Sequence, residues 1–185
     1  MTAETKNAKA ATQFGLTLVQ KILYGLILVA ATIVVVPLSP VFSGPVGTVI
    51  FVLYGIFIGV LAWYVSTAWG FSLEVRKSEM VVRNTRGTTV IPLDKVGMLV
   101  RGGRNPLFPA IWVVLRGVDV GRALPEKGVN PRTQELLTQF QKRNPGKKLT
   151  FVPIPAICLR SVGGFVGELK ERIPPLTVDE RLGGK

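Results

Sequence analysis

Basic residues are the side chains in this sequence whose types and spacing could do chemistry. Clustered lysines and arginines can bind phosphate groups, either of anionic lipids or of nucleic acid. Lipid contact is the simpler interpretation, since the segment that carries them follows long apolar stretches. We therefore predict anionic-lipid contacts from six residues: Arg101, Arg104, Lys142, Arg143, Lys147 and Lys148.

Two other interpretations of these basic residues compete with lipid binding. The pattern disfavours nucleic-acid binding, because the nearby aromatic residues fit apolar faces and are not interleaved with the basic ones. These aromatic residues are Trp112, Phe140, Phe151 and Phe165. The third interpretation gives the basic residues no ligand at all: they set membrane topology and keep the surface soluble.

Residues for catalysis or metal binding are sparse. The chain contains no histidine, which is the commonest acid–base catalyst and metal ligand at neutral pH. Cys158 is the only cysteine, so an intrachain disulfide is impossible, and we predict a buried thiol. Four acidic residues are scattered among basic neighbours: Asp94, Asp119, Glu126 and Glu135. We therefore predict no catalytic residue, no metal site and no cofactor, and expect that the protein is not an enzyme.

Charge divides the 185-residue chain sharply. Between Ile22 and Leu73 there is no Asp, Glu, Lys or Arg, whereas the stretch from Glu74 to Lys185 carries 20 basic and 10 acidic residues. Most of the formal net charge of +12 therefore lies after the apolar region. The length suits one small domain and a membrane anchor.

Two apolar stretches predict membrane spans, because a bilayer core about 30 Å thick requires roughly 20 apolar residues. They cover about residues 14–36, interrupted only by Lys21, and about residues 46–69. Prolines and glycine in the short connection predict a turn, so 14–70 should form a transmembrane hairpin of antiparallel helices. Gly55 and Gly59 lie on one face of the second span, where another helix, either the first span or a partner, could pack closely.

Basic residues flank both spans and are absent from the loop between them. By the positive-inside rule, both termini of a multi-pass protein of the inner (plasma) membrane would then be cytoplasmic, including the N-terminal segment 1–13. Trp63, Tyr64 and Trp69 should lie at the cytoplasmic membrane interface. The alternative, that the first apolar run is a secretory signal peptide, lacks a clear cleavage site and is followed by a second span.

Short β-strands alternate with turn signals after the second span. The pattern predicts strands at 71–75, 80–83, 88–91, 96–101 and 110–116, a helix at 131–143, strands at 148–152 and 157–160, and a last helix at 161–173. Pro153 and Pro155 indicate an edge or a bulge. The end of the chain, 174–185, should be a flexible tail.

The order of these elements carries a family resemblance. An apolar anchor followed by Phe-Ser-Leu, then Ser-Glu-Met-Val-Val-Arg-Asn, a glycine turn and Ile-Pro-Leu-Asp-Lys-Val over residues 71–96 resembles membrane-anchored bacterial proteins with a pleckstrin-homology-like (PH-like) domain. The resemblance implies that 71–173 is a small cytoplasmic α+β domain, a curved antiparallel sheet with a C-terminal helix. It also implies a binding or assembly module.

These features together predict a non-enzymatic accessory or scaffolding subunit of a bacterial inner-membrane protein complex, such as an actinobacterial respiratory or cell-envelope complex. Its partners would be membrane lipids and other membrane-protein subunits. The alternative is a membrane-tethered sensor of anionic lipid headgroups.

Overall fold

The computed structural model describes residues 11–38, 44–102, 109–125 and 129–183. The chain divides into two compact units. The helical unit is Leu16–Phe71, and the sheet domain comprises Ser72–Lys185 together with the N-terminal residues through Gly15. Of the predicted lipid contacts, Arg104 lies outside the described residues.

The helical unit contains α1 (Leu18–Leu38) and α2 (Gly44–Gly70). A reciprocal pair of bonds fixes the start of α1: the Thr17 hydroxyl accepts from the Gln20 amide at 3.3 Å, and Gln20 Oε1 accepts from the Thr17 amide at 3.0 Å. The predicted first span therefore begins four residues too early, at Phe14. Pro45 occupies the first turn of α2, where a missing N–H costs nothing.

Within the described residues, α2 is the one helix that is long and apolar enough to cross a membrane. Its 27 residues reach about 40 Å at 1.5 Å per residue. Only 6% of its most apolar stretch is buried, whereas the core helix of a globular protein would be mostly buried. The side chains of α1 are described only over Leu18–Val34, and this apolar run is shorter than that of α2.

The sheet domain is an α+β domain with two sheets. The first sheet is antiparallel and has the strand order β1 (Thr12–Gln13), β2 (Ser72–Val75), β3 (Glu79–Asn84), β4 (Gly87–Pro92). The predicted strands 71–75, 80–83 and 88–91 correspond to β2, β3 and β4. The strand β1 was not predicted, because Thr12 and Gln13 alone carry no period-2 pattern.

The second sheet contains β5 (Val96–Gly102), β6 (Ala110–Arg116), β7 (Arg122–Ala123), β8 (Leu149–Pro155) and β9 (Thr177–Val178). Its strand order is β7-β8-β6-β5-β9, and β9 runs parallel to β5 while the other pairs are antiparallel. The single curved antiparallel sheet that the resemblance implied is therefore replaced by two sheets, one of them mixed.

Two helices complete the sheet domain, α3 (Pro131–Arg143) and α4 (Val162–Arg172). Asn130 caps α3 by accepting from the Arg132 amide at 3.1 Å, and Ser161 caps α4 by accepting from the Gly164 amide at 3.0 Å. Both helices lie where the capping residues predicted them.

The second sheet is buried on both faces. Along β5, Met98, Leu99 and Val100 are all buried although successive side chains point to opposite faces. On one face α3 packs with Leu137 and Phe140 against β5, β6 and β8. The helix α3 therefore covers this face of the second sheet.

The segment 156–183 differs most from prediction. Residues Ala156–Cys158 form a short 3₁₀ helix, and Leu159 makes a single bridge with Gly15, so the predicted strand at 157–160 is wrong. The predicted flexible tail contains β9, which pairs with Met98 and Leu99. The strand β8 ends at Pro155. Among the described residues, β7 pairs only with Thr150 and Phe151, so Pro153 and Pro155 lie on an outer edge of β8, one of the two places that the prolines predicted.

Candidate functional site

The candidate site that the structure supports best is a set of four exposed cations at one end of the sheet domain, which we call the basic end: Lys142, Arg143, Lys147 and Lys148. The last turn of α3 carries the first two, and the turn into β8 carries the others. Gly146 adopts a φ of +72°, which lets the chain reverse sharply between them. The residues predicted from sequence at 142–148 therefore share one end of the domain.

Positive charge dominates the basic end. Lys148 Nζ forms an ion pair with Asp119, but both side chains are largely exposed, so the pair is weak. Among the described residues no ion pair is recorded for Lys142, Arg143 or Lys147. Lys142 and Arg143 also lie at the helix C-terminus, where the backbone carbonyls favour cations. The arrangement suits a diffuse anionic surface better than one small ligand.

Arg101 does not belong to the basic end. It pairs with Ile111 near the start of β6, whereas Leu149 pairs with Arg116 at the end of the same strand. The two positions on β6, Ile111 and Arg116, are five steps apart along the strand, which corresponds to about 17 Å at 3.4 Å per residue. The predicted set of lipid contacts is therefore split between opposite ends of the second sheet.

Near Arg101 the structure shows a polar network that the sequence did not reveal. The carboxylate of Asp179, fully buried, accepts from Arg181 Nε at 3.0 Å, from the Arg181 terminal nitrogen at 2.6 Å and from the Arg101 amide at 3.2 Å. Arg181 also donates to the Thr133 hydroxyl at 2.8 Å, which in turn donates to the Arg101 carbonyl at 2.9 Å. This network ties the end of the chain to β5 and α3.

Electrostatics around Asp179 favour the charged carboxylate. Burial raises its pKa, but the hydrogen bonds from the Arg181 side chain, from the backbone amides of Arg181 and Arg101, and the Arg181 charge outweigh burial and hold the pKa below its usual value. The bond to Asp179 raises the pKa of Arg181 in turn. Asp179 is therefore a structural anion, and no sequence pattern could have placed it beside residues 46 to 78 positions away.

In the helical unit, Lys21 and Trp69 lie together. Lys21 Nζ donates to the Trp69 carbonyl at 3.1 Å and to the Phe71 carbonyl at 3.4 Å, and Trp69 Nε1 donates to the Lys21 carbonyl at 3.0 Å. The lysine therefore satisfies carbonyls at the C-terminus of α2. It is the one charge in the predicted spans, and it has a defined structural role.

The predicted interface aromatics and packing glycines also lie on α2. Trp63 and Trp69 are about half exposed, and Trp63 contacts Tyr64 with ring centroids 6.5 Å apart. At Gly55 and Gly59, an added Cβ would meet no described atom within 4 Å. No described atom of α1 therefore lies against these glycines. Contact with a partner helix stays a prediction, as does the alternative that glycines at this spacing are incidental.

Groups for metal binding do not converge in the part of the chain that the structure describes. No set of three or more His, Cys, Asp or Glu residues is placed there to hold a metal ion. Cys158 is buried, as predicted. Its exposure of 1% keeps the thiol away from solvent. Asp94 and Asp119 are paired with neighbouring lysines at the surface.

Comparison of the chain with protein-family models, with curated proteins and with solved structures gave no match.

Proposed function

We propose that the protein is a non-enzymatic accessory or scaffolding subunit of a bacterial inner-membrane protein complex, anchored by two spans, with the sheet domain in the cytoplasm. The observation that carries the proposal is the outward-facing apolar surface of α1 and α2. Leu18, Val19 and Val46 are each more than two-thirds exposed, and α2 is almost unburied along its apolar window. Such a surface is stable in lipid and costly in water.

Pairing of β1 with β2 supports an even number of spans. Thr12 pairs with Val75, and Gln13 pairs with Glu74. One of these strands precedes α1 and the other follows α2, so the chain returns to the side of the membrane from which it left. If α2 crosses the bilayer, α1 must cross it as well, which favours the predicted transmembrane hairpin.

Charge supports the orientation. The basic residues of the sheet domain follow α2 closely, beginning with Arg76 and Lys77, and the positive-inside rule places such segments in the cytoplasm. Trp63, Tyr64 and Trp69 then lie at the cytoplasmic interface. The PH-like interpretation is part of the same proposal, supported by the antiparallel run β2 to β4, the antiparallel pair β5 and β6, and the late helix α4. Domains of that kind serve mostly in binding and assembly.

Gly55 and Gly59 support a partner within the membrane. They leave an open face on α2 where a helix of another subunit could approach closely. Purification of the full chain in a gentle detergent, followed by identification of co-purifying membrane proteins, tests this. We expect the double variant Gly55→Leu with Gly59→Leu to lose the partner. The control Val60→Leu, which adds bulk at another exposed position of α2, should keep it.

A chain that migrates alone in that experiment contradicts the subunit proposal. Cytoplasmic orientation is tested separately by cysteine labelling in intact cells and in inverted membrane vesicles. A cysteine introduced at Gln139, on the exposed surface of α3, should react only in inverted vesicles. Labelling in intact cells contradicts the proposed topology whatever the partner is.

The basic end favours a second function, that of a membrane-tethered sensor of anionic lipid headgroups. Each basic residue near an anionic surface gains about 1 kcal/mol, so four could hold this end of the domain against it. Hydrogen exchange of the full chain in nanodiscs tests this. Amides of 142–148 should be protected in discs rich in phosphatidylglycerol but not in phosphatidylcholine discs.

The double variant Lys142→Glu with Arg143→Glu should abolish that protection. Arg101→Glu is the matched control, because Arg101 is exposed but lies at the other end of the second sheet. Equal exchange in both kinds of disc would exclude lipid sensing by the basic end.

A further inference from the structure

Most strand edges of the sheet domain are covered. The two-residue strand β1 lies on β2, β9 lies on β5, and β7 lies on β8. Past β7, the outer edge of β8 carries Pro153 and Pro155, which have no N–H to offer. On β4, by contrast, no described strand pairs with the side that faces away from β3. We call this side of Gly87–Pro92 the open edge.

Side chains on β4 give the open edge an apolar character. Val90 is 45% exposed, and outside α1 and α2 it is the one strongly exposed large apolar side chain in the described part of the chain. The run from Gly87 to Pro92 contains no charged residue. Natural edge strands are usually protected by charges, bulges or a covering segment. Thr88 to Ile91 carry no charge, and no strand in the described part of the chain covers their outer side.

The backbone groups at the open edge follow from the register with β3. Asn84 and Gly87 close the β3–β4 hairpin across a two-residue turn, so that pair and every second pair after it exchange hydrogen bonds. Gly87, Thr89 and Ile91 therefore bond to β3. The N–H and C=O groups of Thr88 and Val90 point away from the sheet.

We propose that the open edge pairs antiparallel with the open edge of a second copy of the chain, centred on Thr89. In this register Thr88 of each copy lies opposite Val90 of the other, so every outward N–H on one strand meets a C=O on the other. The Val90 side chain is covered by its cross-strand neighbour. The contact joins two four-stranded sheets into one.

Charge and symmetry favour a second copy over a different protein. Thr88 and Val90 lie one residue before and one residue after Thr89. An identical antiparallel strand centred on Thr89 can therefore bond to the outward N–H and C=O groups of both residues. No charge lies between Gly87 and Pro92, and pairing brings no like charges directly opposite each other there. Arg86 of each copy lies beyond the paired region, at opposite ends of the contact.

Cysteine cross-linking of the full chain in its membranes tests both the contact and the register. In the proposed pairing Thr89 faces Thr89 of the second copy at a Cα separation of about 4.5 Å, within the range that a disulfide spans. Thr88 faces its own equivalent only diagonally, at about 8 Å or more, beyond that range. With an oxidant, Thr89→Cys should give a covalent dimer and Thr88→Cys should not.

Two further variants, made in the Thr89→Cys background, separate edge pairing from chance collision. Val90→Lys places a charge on the open edge and should cause loss of the covalent dimer. Gln139→Lys adds the same charge on exposed α3 and should leave the dimer unchanged. The unaltered chain, with buried Cys158, should give no dimer.

Absence of the Thr89→Cys dimer, equal dimer from Thr88→Cys, or a covalent adduct with a different protein would each overturn the proposal. The fraction of the chain that sediments with membranes is measured on the same samples. Loss of that fraction contradicts the proposed anchor instead, so the two failures are distinguishable.

Discussion

Lys21 and Trp69 exchange hydrogen bonds between the first helical turn of α1 and the end of α2. The lysine ammonium donates to the Trp69 carbonyl, and the indole N–H donates to the Lys21 carbonyl. The Trp69 carbonyl is in the last turn of α2 and lacks an intrahelical partner, so the bond from Lys21 satisfies it. The two bonds together tie both ends of the helical unit to each other.

This relationship predicts that Trp69→Phe and Lys21→Met each weaken the pairing of α1 with α2. Trp69→Phe loses one hydrogen bond and Lys21→Met loses two, each worth about 1–2 kcal/mol. The measurement is the thermal midpoint of the full chain in detergent, followed by circular dichroism. Each bond joins one side chain to the backbone of another residue, so the two variants remove different bonds and the double variant should lose about the sum of the single losses. An unchanged midpoint in either single variant would contradict these contacts.

Asp179 holds the buried polar network together, so a small change to its side chain should strongly lower the stability of the sheet domain. Asp179→Asn removes the charge that Arg181 and the Arg101 amide engage, and leaves the Arg181 guanidinium without its anion. We expect destabilisation of about 2–3 kcal/mol. Faster hydrogen exchange in β5, β9 and α3 would report it. Asp94→Asn, at an exposed surface pair, is the matched control and should change exchange little.

Acid should weaken the same network. The pKa of Asp179 lies below its unfolded value of 3.8, so the carboxylate contributes stability that is complete above that value and is lost as the pH falls through the folded pKa. The difference in thermal midpoint between the unaltered chain and Asp179→Asn should therefore be constant from about pH 5 to 8 and shrink below about pH 4. A difference that grows on acidification would contradict the assignment.

Gly102 is expected to resist substitution. A Cβ on this residue would overlap the indole ring of Trp112, which also packs against Phe151 with ring centroids 4.4 Å apart. We expect Gly102→Ala to destabilise the sheet domain by about 1–3 kcal/mol, measured by urea unfolding of the full chain in detergent. Gly167→Ala, in α4, is the control: it meets open space and should stabilise by about 0.5–1 kcal/mol.

Local signals made much of the fold predictable. Asn130 before Pro131 located α3, and Ser161 located α4, because capping is a contact within a few residues. Short runs of strand-forming residues between turn signals located β2 to β6, because these signals also act within a few residues. The first helix was placed too early because Phe14 is as apolar as a span residue. It is buried instead in the sheet domain, where its ring meets Phe165 edge-on at 5.5 Å.

Contacts between distant residues were the part that sequence could not predict. Thr177 and Val178 are too few to carry a strand signal, and their pairing with β5 depends on Asp179 and its partners. The predicted lipid contacts do not share one place, since Arg101 lies at the end of the second sheet opposite the basic end. Proximity along the chain grouped Lys142 and Arg143 correctly, but no local pattern shows which end of a sheet a residue occupies.

Pairing of β1 with β2 has a consequence for the order of events during synthesis. Thr12 and Gln13 are among the first described residues to be made, yet their partners Glu74 and Val75 follow both apolar helices. The first sheet therefore cannot be completed until the entire helical unit has left the ribosome. In the proposed topology, the helices would enter the membrane before the sheet domain closes, and synthesis that halts between α1 and α2 would leave β1 without its partner strand.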